Sequence, residues 1–95
     1  MKKNDILIAC NLYCDMYYFL QVVRATKSTV TVREIYANKQ KGIPVVGEFK
    51  DGKDEVTKRV KDGRINLGVW TTAELWDGSP LQNKHPMWGI NYNLY

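Results

Sequence analysis

Residues 17–36, YYFLQVVRATKSTVTVREIY, constrain the fold of this chain more than any other stretch. Two runs of β-branched and aromatic residues flank Lys27-Ser28, which predicts two antiparallel strands joined by a tight turn. If Thr26 lies opposite Thr29, the side chains of the hairpin divide between two faces. The first face pairs Ala25 with Val30, Val23 with Val32, Gln21 with Glu34 and Phe19 with Tyr36. The second face pairs Arg24 with Thr31, Val22 with Arg33 and Leu20 with Ile35. We expect the first face to form the core, with Gln21 and Glu34 at its rim, and the second to be basic and hydroxylic near the turn.

The rest of the chain adds short strand patterns separated by turn signals. A first strand is expected over residues 5–12, with Ile6, Ile8 and Cys10 on one face and Leu7 and Ala9 on the other. IPVVGEF, residues 43–49, predicts a strand that starts at a sheet edge because Pro44 lacks an N–H donor, with a bulge at Gly47. Two more strands are expected around Asp62-Gly63, and a last one in residues 89–95.

Helical spacing is weak throughout. Val56 and Val60 are four residues apart, but the glycines at 52 and 63 leave room for only a couple of turns. Asp77-Gly78 follows Trp76 at a strand end and predicts a tight turn in which the Asp77 carboxylate accepts a nearby N–H and Trp76 folds back onto the core. The pattern therefore predicts a mainly β fold: a single domain, 1–95, forming a small antiparallel SH3-like barrel or a strongly curved sheet of five to six strands.

The residues that catalysis and metal binding require are scarce. The single histidine, His85, precedes Pro86 in a turn-like segment and is interpreted as a surface residue. Cys10 and Cys14, on one continuous strand, would stand about 13 Å apart, too far for a disulfide. They are interpreted as reduced, buried thiols of a cytoplasmic protein. We expect no enzymatic activity, metal site or small-molecule cofactor, and no apolar run approaches the length of a membrane span.

The charge of +4 is unevenly distributed and indicates one candidate surface. Residues 24–64 hold eleven Lys and Arg against six Asp and Glu, whereas residues 65–95 hold only Lys84 against Glu74 and Asp77. The candidate nucleic-acid-binding residues are Arg24, Arg33, Lys58, Arg59, Lys61 and Arg64. Such basic edges on small β domains bind polyanions. The alternative is that outward Lys and Arg keep the sheet edges from aggregating.

Aromatic residues near the end of the chain indicate a second candidate surface. Three tryptophans fall within 19 residues, Trp70 to Trp88, and Tyr92 and Tyr95 follow. Packing in the core would account for two of the tryptophans. An exposed one would anchor a protein partner or a second copy of the chain, and the candidates are Trp70, Trp88 and Tyr92.

Two segments, FLQVVRATKSTVTVREI and LWDGSP, carry a resemblance to a known family. The matching positions are Tyr13, Asp15, Phe19, Val22, Val23, Thr26, Thr29, Val30, Arg33 and Ile35, then Trp76, Asp77, Gly78 and Pro80. They resemble a family of small phage- and prophage-encoded proteins of unassigned function, although Leu20 replaces an aromatic residue of the family pattern. The resemblance implies a mobile-element origin and expression in the cytoplasm of an infected host, and it brings no catalytic residue.

Two hypotheses for the function stay open. The first is a non-enzymatic phage or prophage accessory protein that binds a host or phage protein, for example to block a defence system. The second is a small basic β domain that binds nucleic acid. The aromatic residues motivate the first and the basic residues the second.

Overall fold

The computed structural model describes residues 1–13 and 16–84. Within them, seven antiparallel strands form one sheet: β1 (Ile6–Asn11), β2 (Met16–Ala25), β3 (Thr29–Ala37), β4 (Pro44–Phe49), β5 (Val56–Arg59), β6 (Arg64–Asn66) and β7 (Thr71–Leu75), followed by a short helix α1 (Leu81–Lys84). The mainly β, antiparallel class is confirmed, and the sheet is not closed into a barrel. β7 ends just before Trp76, where a strand end was expected, although its start was not predicted; α1 was not predicted, and the strand expected in residues 89–95 lies outside the described residues.

The sheet curves strongly because one hairpin links its two sides. The strand order is β4-β3-β2-β1-β7-β6, and β5 also pairs with β3, alongside residues 29–32. β5 and β6 are joined by the predicted turn, where Asp62 and Gly63 both have positive φ (55° and 76°), as a tight hairpin turn requires. A bridge between Lys61 and Arg64 holds the base of this turn. Since β6 pairs with β7, the hairpin draws the two sides of the sheet towards each other.

Apolar side chains are buried on both faces of this curved sheet. The inner cluster consists of Leu7, Ala9, Leu20, Val22, Val30, Val32, Ile65 and Ala73. The outer cluster consists of Ile8, Phe19, Ile35, Ala37 and Leu81, with Phe49 and Trp76 packed against it. The alternation predicted along β1 is confirmed, since Leu7 and Ala9 join one cluster and Ile8 the other. Both faces of the sheet therefore carry buried apolar residues.

The predicted register of the β2–β3 hairpin is correct only near the turn. Ala25 pairs with Val30 and Arg24 with Thr31, but a bulge at Val23 then shifts the pairing by one residue. Beyond it, the pairs are Val22 with Val32, Gln21 with Arg33, Leu20 with Glu34 and Phe19 with Ile35.

The shift of register changes which side chains form the core. Leu20, Val22 and Ile35, assigned to the second face, are buried. Phe19, Val30 and Val32 are buried as predicted, although Phe19 belongs to a different cluster from the two valines. Val23 and Tyr36 are only partly buried. Adding one residue to one strand reverses the faces of all the residues beyond it, because side chains alternate with a period of two.

A buried glutamine anchors β4 against the middle of the sheet. The Gln21 side-chain oxygen accepts the Gly47 backbone N–H at 2.8 Å, and its amide nitrogen donates to the Asn4 side chain at 3.3 Å. Gly47 has φ +84°, and the β3–β4 register is interrupted between Ile35 and Ala37, as the predicted bulge implies. Gln21 and Glu34 therefore do not form a rim pair, and the Glu34 carboxylate accepts from Lys50 Nζ at 2.7 Å.

The turn predicted at Asp77-Gly78 is confirmed in its details. Gly78 has φ +91°, and the Asp77 carboxylate accepts the Ser79 backbone N–H at 2.9 Å. Trp76 folds back onto the outer cluster, where its ring meets Phe19 edge-on with the centroids 5.5 Å apart. Its indole N–H donates to the Ser79 carbonyl at 2.8 Å. The turn thus positions a large aromatic side chain over the outer face of the sheet.

Replacing Gly78 by Val is expected to lower the free energy of unfolding by about 2 kcal/mol, because a β-branched residue resists a positive φ. The space around Gly78 is open, so this cost would come from the backbone conformation alone. Gly68→Val is the matched control, since Gly68 also has open space but no positive φ. Urea unfolding measures both variants, and equal losses would contradict the explanation from φ.

Candidate functional site

The end of β1 and the start of β7 bring together two short segments with exposed apolar residues. Asn11 pairs with Thr71, and the Leu12 backbone N–H donates to the Trp70 carbonyl at 2.9 Å. The residues that follow β1, Leu12 and Tyr13, therefore lie beside those that precede β7, Val69 and Trp70. We call these four residues the aromatic tip.

The aromatic tip is strongly exposed. The solvent-accessible fractions are 70% for Leu12, 81% for Tyr13, 90% for Val69 and 56% for Trp70. The Tyr13 and Trp70 rings contact each other, with centroids 6.3 Å apart and planes inclined by 37°. No charged residue occurs in residues 10–13 or 66–72. Exposed aromatic rings in contact, with further exposed apolar residues next to them in the chain, are typical of interaction sites, whereas single exposed apolar residues are ordinary.

Local turns hold the backbone of the tip in place. The Asn11 side-chain oxygen accepts the Tyr13 N–H, and that of Asn66 accepts the Gly68 N–H, both at 3.0 Å. The Leu67 N–H also donates to the Thr71 carbonyl at 2.9 Å. Asparagine favours such turns because its short side chain satisfies backbone donors two residues ahead. The tip is therefore presented by turns fixed at both of its segments.

Three of the candidate basic residues make contacts within the chain. Arg24 pairs with Glu55 at 2.7 Å, and Arg64 pairs with Glu74 at 3.5 Å. Arg33 donates to the Lys53 carbonyl at 3.0 Å and lies 5.0 Å from the centroid of the Phe49 ring. Arg33 thus holds the β4–β5 connection against the sheet, so its contacts stabilise the fold.

The other candidate basic residues lie on the β5–β6 hairpin. Lys58, Arg59 and Lys61 form no ion pair within residues 1–13 and 16–84. Arg59 pairs with Thr29, which places it beside the β2–β3 turn and its exposed Lys27. Arg59, Lys61 and Arg64 line an open groove of about 520 Å³ on this hairpin. The structure thereby adds Lys27 to the basic residues predicted from the sequence.

The remaining candidates are placed as follows. Trp88, Tyr92, Tyr95, His85 and Cys14 lie outside the described residues. Cys10 is a partly buried free thiol. Within the described part of the chain, no group of three or more His, Cys, Asp or Glu side chains is arranged to hold a metal ion. No helix found there is long and apolar enough to cross a membrane.

The sequence pattern indicates Trp70 as a candidate but none of the other members of the tip. It includes Leu12 in the first strand and indicates no binding role for Tyr13 or Val69. The available signal was an apolar pair at each of two turns, Leu12-Tyr13 after Asn11 and Val69-Trp70 after Gly68. Their adjacency depends on the pairing of β1 with β7, which joins residues about 60 positions apart.

No protein-family model, curated protein or solved structure matches this chain.

Proposed function

We propose that this chain is a non-enzymatic binding protein that contacts another protein through the aromatic tip. The observation that carries the proposal is the exposed contact between the Tyr13 and Trp70 rings, with Leu12 and Val69 also exposed on the same two adjoining segments. The proposed setting is that of a phage or prophage accessory protein acting on a host or phage protein, such as a component of a defence system. The resemblance of its hairpin and LWDGSP segments to phage-encoded proteins supports that setting.

The composition of the tip matches what binds well at protein interfaces. Trp and Tyr are enriched among the residues that dominate binding energy, because each buries a large area while losing little conformational entropy. The turns that fix the tip further reduce the entropy lost on binding. Because the tip carries no charge, the partner is expected to present an apolar patch or pocket.

Replacing Trp70 by Ala is expected to weaken partner binding by about 30-fold, corresponding to the roughly 2 kcal/mol typical of a central aromatic anchor. Tyr13→Ala should also weaken partner binding, but less than Trp70→Ala does, because Tyr13 contacts the Trp70 ring and supports it. The full chain would be used to capture bacterial lysate proteins, and each candidate would then be purified and titrated against the wild type and both variants.

Val46→Ala is the matched control, since Val46 is an apolar residue of β4 that is 62% exposed and outside the tip. The proposal requires a saturable partner whose affinity falls in Trp70→Ala and is retained in Val46→Ala. A partner that binds the wild type and Trp70→Ala equally would show that the tip is not the binding surface.

A further inference from the structure

Three exposed basic residues lie at the opposite end of the molecule from the aromatic tip. β2 starts at Met16, opposite Asn11 beside the tip, and ends at Ala25, two residues before Lys27. Its ten residues span roughly 30 Å, against a longest molecular dimension of 37 Å. We define Lys27, Arg59 and Lys61 as the basic end.

Backbone hydrogen bonds hold the segments of the basic end together. The Thr26 N–H donates to the Thr29 carbonyl at 2.8 Å, and the Thr26 hydroxyl accepts the Thr29 N–H at 3.0 Å. The Val60 N–H donates to the Ser28 carbonyl at 2.9 Å, which ties the end of β5 to the β2–β3 turn. Lys27 on one segment, and Arg59 and Lys61 on the other, are therefore carried by adjoining backbone.

The charge of this end is concentrated and largely unpaired. Residues 26–29 and 58–64 contain five Lys and Arg and one carboxylate, Asp62. Lys27, Arg59 and Lys61 are exposed and make no ion pair within the described part of the chain. Like charges held close together repel each other, and a polyanion would relieve that repulsion while releasing its own counterions.

We infer that the basic end binds the phosphate backbone of double-stranded nucleic acid, independently of the aromatic tip. The same two segments contain no aromatic residue on which an unpaired base would stack, which disfavours a single-stranded target. The exposed Ser28 hydroxyl lies in the same turn and supplies a further donor for phosphate oxygens, whereas the Thr26 and Thr29 hydroxyls bond each other at 2.7 Å. Contacts of this kind carry no base sequence information, so binding is independent of sequence.

Fluorescence anisotropy with the full chain and a short labelled duplex tests the inference. Three phosphate contacts predict a slope of about −2.7 for log K against log salt, or about a 40-fold loss of affinity between 50 and 200 mM. A single strand of equal length should bind more weakly, and duplexes of unrelated sequence should bind alike. No binding at 50 mM salt, or binding insensitive to salt, overturns the inference.

Charge reversal at two residues locates the site. Arg59→Glu/Lys61→Glu should weaken duplex binding at least about tenfold, because it removes two contacts and adds repulsion. The matched control is Lys39→Glu/Lys41→Glu in the β3–β4 turn, which changes the net charge equally at exposed positions and should stay within about threefold of the wild type. Equal losses in the two variants would mean that overall charge alone drives binding.

A third variant covers the case in which the double reversal disturbs β5. Lys27→Glu alters only the exposed turn and should weaken binding about threefold or more while thermal unfolding stays unchanged. Trp70→Ala should bind the duplex like the wild type, which separates this site from the proposed protein-binding tip. Preference for heparin with no duplex binding, or a single strand bound as tightly as the duplex, counts against the inference.

Discussion

Replacing Val32 by Asp is expected to lower the free energy of unfolding by about 4 kcal/mol, a large part of the stability of a small domain. Val32 is 1% exposed and packs in the inner cluster, opposite Val22 across the β2–β3 pairing. A carboxylate at this position would lose its hydration and gain no cationic partner from the apolar residues of that cluster.

Val46→Asp is the control for this substitution. It makes the same chemical change on β4 at a side chain that is 62% exposed, where the carboxylate stays hydrated, and its cost should be below about 1 kcal/mol. Urea unfolding followed by far-ultraviolet circular dichroism gives both values. A Val32→Asp protein as stable as Val46→Asp would mean that Val32 does not lie in the core.

The second large effect is expected at Trp76, whose replacement by Ala should cost about 3 kcal/mol. The substitution removes the edge-on contact with Phe19 at 5.5 Å and uncovers part of the outer cluster. It also removes the indole donor that satisfies the Ser79 carbonyl at 2.8 Å. Trp76→Phe keeps most of the apolar area and loses the hydrogen bond, so its cost should be nearer to 1 kcal/mol.

Trp70 provides the matched comparison within the same chain. Its ring is 56% exposed, so Trp70→Ala should leave the free energy of unfolding within about 1 kcal/mol of the wild type. Chemical unfolding of the three variants therefore separates a structural tryptophan from one available to a partner. If Trp70→Ala and Trp76→Ala destabilise the protein equally, the assignment of different roles to the two residues is wrong.

Local sequence features were sufficient to predict the turns and most of the strands. Asp62-Gly63 and Asp77-Gly78 turn where expected, because glycine accepts positive φ and aspartate accommodates it or accepts a nearby N–H. β1 alternates as predicted since its residues face two different clusters. α1 was missed because a helix of four residues is too short to show a periodic pattern.

The register of the central hairpin could not be read from the same residues. Val22 and Val23 are identical side chains in succession, so either could face Val32, and the turn at Lys27-Ser28 suits both pairings. Burial of Leu20 and Val22 against Leu7, Ala9 and Ile65 selects the pairing with a bulge at Val23. Those partners come from other strands, so tertiary packing decided what local propensity left open.

The candidate surfaces show the same division. The sequence by itself determined the mainly β class, the turns, the uneven charge and the presence of Trp70. Only the tertiary structure placed Leu12 and Tyr13 beside Val69 and Trp70. Only the tertiary structure gave Arg24 and Arg64 their ion-pair partners and Arg33 its hydrogen-bond acceptor within the chain. The physical reason is that turns and strand propensity depend on neighbours in sequence, whereas exposure and ion pairing depend on which distant strands pair.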